Sequence, residues 1–279
     1  GFRAGVWNIG AEGQFIAGAL LGSAPAVYFF DSTNPLILPC MMLLGILGGM
    51  AWAAMPALLK TRFNANEILV SLMLVYVAEL LLVHLVQGPW RNPQGWGFPG
   101  TRMFPDVALL PMFFPGYRVH LGTLIAVLIP FVVWFVLTRT RFGFQIRVFG
   151  SAPLAARHAG IGSSQMVWTT LLVGGGFAGL AGVMEAASTI GQLMPKISPG
   201  YGFTAIIVAF LGRLHPIGVL LAGTVIAVTY IGGEGAQISA GLPKAVTGLF
   251  QGIILFYLLA FDLLTRYRLT RVSTRGNAA

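Results

Sequence analysis

The sequence predicts an all-α, polytopic transmembrane helical bundle, and its composition and uncharged runs carry that reading. Of the 279 residues, 56% are hydrophobic and only 9% charged, whereas soluble domains carry roughly 25% charged residues. Leu36–Leu59, Leu121–Leu137, Ile217–Gly232 and Ala245–Phe261 contain no Asp, Glu, Lys or Arg. Runs of that kind approach the roughly 17–25 apolar residues that cross a hydrocarbon core about 30 Å thick. Finally, the single cysteine, Cys40, excludes an internal disulfide framework, and one Cys with four scattered His offers no zinc-ligand spacing.

Taken in order, about eight spans are expected, near 10–30, 36–59, 66–87, 119–138, 166–188, 201–212, 216–233 and 243–264. The first carries Glu12 and Gln14 among glycines, and the third carries Glu79 and His84. In the fifth, Gly174, Ala178 and Gly182 recur every four residues, as do Gly18 and Gly22 in the first. Small residues at that spacing let transmembrane helices approach closely. The sixth is short and bounded by Gly200, Gly202 and Gly212, so a broken or tilted helix is expected. Such backbone is tolerated at membrane depth only under protein or beside a wet cavity. All eight belong to one domain, 1–279. Gly1 stands where Met would start a chain, and the expectation is an N-terminally truncated sequence; "GFRAGVWNIG" has no signal-peptide core.

The loops set the orientation. With a cytoplasmic N-terminus, twelve of the seventeen basic residues fall inside and five outside. That bias predicts both termini on the cytoplasmic side, and it accounts for the net charge of +9 without nucleic acid. The external loop 88–118, rich in Trp, Phe and Pro, is expected to fold as a lid or interfacial segment.

The internal loop 139–165 holds a short cationic helix, expected over Ala152–Ala159. Ser151 is its expected N-cap, Pro153 sits in its first turn, and Arg157 and His158 suit its C-terminal dipole. Gly160 supplies a left-handed end. A helix about 12 Å long is not stable alone. It docks through Leu154, Ala155, Ala156 and Ala159, either into a partner's groove or onto its own membrane domain.

This loop resembles the coupling segment of importer-type ATP-binding-cassette permeases, in the family of simple-sugar, nucleoside and branched-chain amino acid systems. The family's Gly-x-Asn-Pro-x-Ala-Ala-x-x-x-Gly-Ile pattern is matched at Gly150, Pro153, Ala155, Ala156, Gly160 and Ile161, with Ala152 where Asn is usual. "WNIGAEGQ", 7–14, and "SPGYGFTAIIVAFLGRLHPIG", 198–218, are similar to signatures of the nucleoside and simple-sugar subgroup, with Thr204 where Asp is common. The resemblance implies a permease subunit of an inner-membrane importer for nucleosides or simple sugars. It also implies a cytoplasmic ATP-binding subunit, a second permease subunit and an extracytoplasmic substrate-binding protein as partners, besides membrane lipid. The coupling helix, Gly150 to Ile161 with Leu154 and Arg157, would seat in the ATPase.

Ionisable groups in lipid face a cavity or a partner by default. Glu12 and Glu185, with the polar or aromatic Asn8, Gln14, Gln192, Tyr201, Phe203 and Thr204, make up the candidate substrate path. Hydrogen bonds between helices would equally explain Glu12 and Gln14, and an aromatic belt would explain Tyr201 and Phe203. No G-x-x-x-x-G-K-[ST] loop occurs, so ATP hydrolysis belongs to a separate subunit. Neither a catalytic triad nor a metalloprotease motif is present, and no cofactor or metal is expected. The rival readings are a branched-chain amino acid permease and a self-sufficient secondary transporter or channel. The latter would need Glu79 as its coupling group.

Overall fold

The computed structural model describes residues 1–113, 119–241, 243 and 245–266. Among these, ten α-helices form and no strand, apart from an isolated bridge between Met112 and His120. Every expected span is a helix: α1 (Ala11–Tyr28), α2 (Ile37–Phe63), α3 (Glu67–Gln87), α4 (Leu121–Arg139), α7 (Ser163–Glu185), α8 (Tyr201–Leu211), α9 (Pro216–Ala240) and α10 (Ala245–Arg266). The internal loop adds α5 (Arg141–Ser151) and α6 (Pro153–His158). The count of full spans is nevertheless five rather than eight: among the described residues, α2, α3, α4, α7 and α9 are long and apolar enough to cross a membrane. Glu12, Gln14 and several glycines dilute α1, and α8 is only eleven residues long. Arg118, Lys244, Arg268, Arg271 and Arg275, which enter the charge bias, lie outside the described residues.

The centre of the fold is the mutual packing of α1, α2 and α7, with α3 laid on α1. Contact there is backbone to backbone. A Cβ on Gly179 would fall on the Gly45 carbonyl, one on Gly18 would fall on Gly179, and one on Gly49 would fall on the Gly175 carbonyl. The four-residue spacing in α7 is as expected, but its register is one residue off. Gly175 and Gly179 make the crossing, while Gly174 only approaches the Asn8 amide at 3.7 Å. Gly182 does meet α1, against the Phe15 carbonyl. Three consecutive glycines, 174–176, hide the correct frame from inspection of spacing alone.

Beyond α7 the chain takes a π-helical turn, Ala186–Ile190, and then runs irregularly to Gly200. That stretch is covered by residues of the loop between α3 and α4. Thr101 donates its N–H to the Leu193 carbonyl at 3.0 Å, and the Leu193 N–H donates to Thr101 Oγ1 at 3.0 Å. Phe104 and Leu110 bond the carbonyls of Gly191 and Ala187. Thr101, Phe104, Ala108 and Leu110 are buried in this contact.

Within the loop between α4 and α7, α5 is an amphipathic helix that the sequence conceals. Thr140 caps it, accepting from the Gly143 N–H, and Ile146 and Phe149 face inward at helical spacing. Ser151 is therefore the last residue of α5, its hydroxyl donating back to the Arg147 carbonyl at 2.9 Å, and it does not cap α6. The cap residue is Ala152, without a side-chain bond, and α6 has six residues rather than eight. Its end is as expected. Gly160 has φ +81°, its N–H bonds the Arg157 carbonyl, and the Ile161 N–H bonds that of Ala156. This pair of bonds is a Schellman motif, which needs a left-handed residue at that point.

Candidate functional site

The start of α1 and the start of α8 meet in space. Glu12, 2% exposed, accepts the backbone N–H of Gly202 through Oε2 at 2.6 Å. Only glycine fits at 202, because a Cβ there would coincide with the Glu12 backbone. Ser198 prepares that end of α8 by accepting the N–H groups of Gly200 and Tyr201, both at 3.0 Å. A half-helix of about 16 Å is thus capped by a hydroxyl and a carboxylate, both favourable at the positive end of its dipole.

Beside this junction lies a cavity of about 260 Å³, walled by Glu12, Glu79, Lys196 and Ser198 together with Ile16, Leu82 and neighbouring apolar side chains. Its volume is just below the roughly 300–1,000 Å³ of ligand pockets. Lys196 makes no ion pair with either carboxylate; among the described residues the one salt bridge is Lys60–Glu67, 2.8 Å. Two carboxylates, an ammonium and a hydroxyl opening onto one cavity suit a polar occupant with several hydroxyl or amide groups. A second cavity of similar volume between α9 and α10 is lined largely by small and apolar residues, and it offers no comparable chemistry.

The expected path residues divide into four groups. Glu12 lines the cavity. Asn8 and Gln14 satisfy one another through reciprocal amide bonds of 2.8 and 3.1 Å, and Asn8 also accepts the Gly10 N–H. Tyr201 and Thr204 gather with Tyr230. The Tyr201 and Tyr230 rings lie 5.7 Å apart and the Thr204 and Tyr230 hydroxyls 3.0 Å apart, while Glu185 is the last residue of α7. Phe203 is partly exposed on the same short helix. Gln192 stands apart, under the external loop beside Gly100.

Sequence reasoning missed Lys196, Ser198 and Tyr230. Ser198 had a legible signal, a hydroxyl three residues before a helix; Lys196 and Tyr230 had none. Of the coupling stretch, Leu154, Ala155, Arg157 and Gly160 are exposed, whereas Ala156 and Ile161 are buried in a cluster with Ala4, Val6, Ile146 and Phe149.

A short helix with Leu154 exposed and a polar cavity beside the half-helix α8 are the two features that stand out. The family described as branched-chain amino acid transport system, permease component, matches residues 2–259. The chain belongs to this permease family. The permease is 38% identical to a glucose ABC transporter permease protein of Haloferax volcanii, over 99% of this chain and 75% of that one. It is 29% identical to a guanosine ABC transporter permease protein of Bacillus subtilis, over 99% and 79%. Identity to a nucleoside ABC transporter permease protein of Lactococcus lactis is 24%, over 92% and 72%. No solved structure gives a significant match. The permease is a multi-pass membrane protein, the membrane subunit of an ABC transporter.

Proposed function

We propose that the permease forms the translocation path of an ATP-driven importer for simple sugars or nucleosides in the inner membrane, with both termini cytoplasmic. The observation that carries the substrate class is the cavity at the α1–α8 junction. Glu12, Glu79, Lys196 and Ser198 offer acceptors and donors to a hydroxylated, uncharged molecule, and Ile16 and Leu82 offer an apolar wall to one face of it. Relatives whose names specify glucose and guanosine support the same class. The charge bias supports the orientation with α1, α8 and α10 counted beside the five long helices.

The drive comes from a cytoplasmic ATP-binding subunit seated on α6. Leu154, 72% exposed, projects from a six-residue helix whose fold depends on Ala156 and Ile161 being held inward. A large aliphatic side chain so presented, beside small Ala155 and Ala159, fits a shallow groove. A second permease subunit completes the path, and an extracytoplasmic binding protein delivers the substrate.

The test is uptake into proteoliposomes that contain the permease with its partner subunits. Labelled glucose or guanosine should accumulate only with ATP and the binding protein. Accumulation without ATP would replace this reading with a self-sufficient transporter. ATP-dependent uptake of leucine in place of both would move the substrate to branched-chain amino acids.

A further inference from the structure

Residues 2–14 touch everything that ATP-driven movement would have to join. At one end the 3₁₀ turn Phe2–Ala4 rests on the internal helices: a Cβ on Gly150 would fall on the Arg3 carbonyl, and Ala4 and Val6 are buried with Ile146, Phe149 and Ala156. In the middle the chain lies on the far end of α8. The Trp7 ring stacks on Phe210 with centroids 6.1 Å apart and planes at 24°, and Phe2 lies 5.6 Å from the same ring. At the other end the Asn8–Gln14 amide pair locks the strand to α1, and Glu12 holds the first turn of α8 through Gly202. One segment thus grips α8 at both ends and sits flush against the α5–α6 pair.

We infer that residues 2–14 are the strut that passes displacement of α6 to the half-helix α8, with Trp7 and Phe210 as its positioning residues. The inference rests on the docking of an ATPase at α6 given above. Its physical basis is stiffness. Close-packed contacts have low compressibility, and coupling between distant sites travels through chains of packed side chains and hydrogen bonds ending on an element with discrete arrangements. No side chain separates Gly150 from Arg3, so a shift of α5–α6 has no slack to absorb it at that contact. Phe2 and Trp7 bear on Phe210 at the opposite end of α8 from the cavity. Force applied there levers α8 about its Glu12 anchor, which is a wall of the cavity.

The experiment uses the complete transporter in proteoliposomes and measures ATP hydrolysed and substrate accumulated in the same vesicles. Trp7→Ala, and separately Phe210→Leu, should leave the ATPase bound and its stimulation by loaded binding protein intact. Substrate moved per ATP should fall about 10-fold, within the 5–150-fold usual for coupling between sites. Trp7→Phe, which keeps an aromatic face, should restore most of that ratio. An unchanged ratio in both variants overturns the strut, as does a parallel loss of hydrolysis and uptake, which a merely structural role would give. Ala155→Trp tests the underlying docking independently. It should release the ATPase and abolish both activities together, and a normally bound and coupled ATPase in that variant overturns the docking at α6 instead.

Discussion

Glu12 shows how much one side chain can be asked to do. Its carboxylate satisfies a buried N–H of another helix 190 residues along the chain, and it also faces the cavity. The two tasks are separable by substitution. Glu12→Gln keeps an oxygen for the Gly202 N–H but removes the charge, so the protein should retain its stability while uptake falls. Glu12→Ala leaves that donor buried and unpaired, which typically costs about 1–3 kcal/mol, and should lower both thermal stability and uptake. Thermal unfolding in detergent alongside vesicle uptake distinguishes the two. Equal stability of both variants would mean that the Gly202 bond is replaced by water. The charge at residue 12 was legible from its sequence as costly in a membrane, but its partner was not. Nothing local in "GAEGQ" points to residue 202.

Among the elements, α4 has a pH-dependent start. His120 is its N-cap, and ring Nδ1 accepts the Gly122 N–H at 3.1 Å, which requires that nitrogen to be unprotonated. Burial pushes the His120 pKa below its ordinary value. The folded state therefore holds the neutral ring more strongly than the unfolded state does. The stability it contributes is complete above the unfolded pKa and is lost as pH falls through the lower, folded one. Melting temperature in detergent should accordingly drop on acidification from about pH 7.5 to about pH 5 by more in the native permease than in His120→Asn, which caps without titrating in that range. Identical slopes would remove His120 from the account. The elements α5 and α6 carry a different lesson. The Gly160 terminus was readable because a left-handed residue after a short helical stretch has few alternatives. The Ser151 cap was misread because its hydroxyl bonds backward to Arg147, within a helix whose Ile146 and Phe149 spacing the loop's polarity obscured.

At the scale of the molecule, the α1–α2–α7 crossing decides whether the bundle forms. Overpacking a close contact costs typically about 1–3 kcal/mol, and occasionally more. Here the colliding atoms are backbone carbonyls that cannot rotate away. Gly179→Ala should therefore destabilise the permease strongly and reduce its recovery as a monodisperse species from membranes. Gly174→Ala, whose new methyl would meet only the Asn8 amide at van der Waals distance, should be tolerated. Equal behaviour of the two variants in size-exclusion and thermal-unfolding measurements would contradict the register.

The sequence by itself determined the class, the place of the eight apolar helices, the short sixth of them and the family resemblance. Apolar runs, glycine ends and ordered motifs are local signals, legible over ten or twenty residues. Only the tertiary structure decided which glycine frame of α7 faces α2, that Ala156 points inward while Ala155 points out, and that Lys196 joins Glu12 and Glu79 around one cavity. A one-residue shift turns a helix by about 100° without changing its composition, so the facing side is set by the partner surface. Contacts spanning many tens of residues exist only once several helices have packed together.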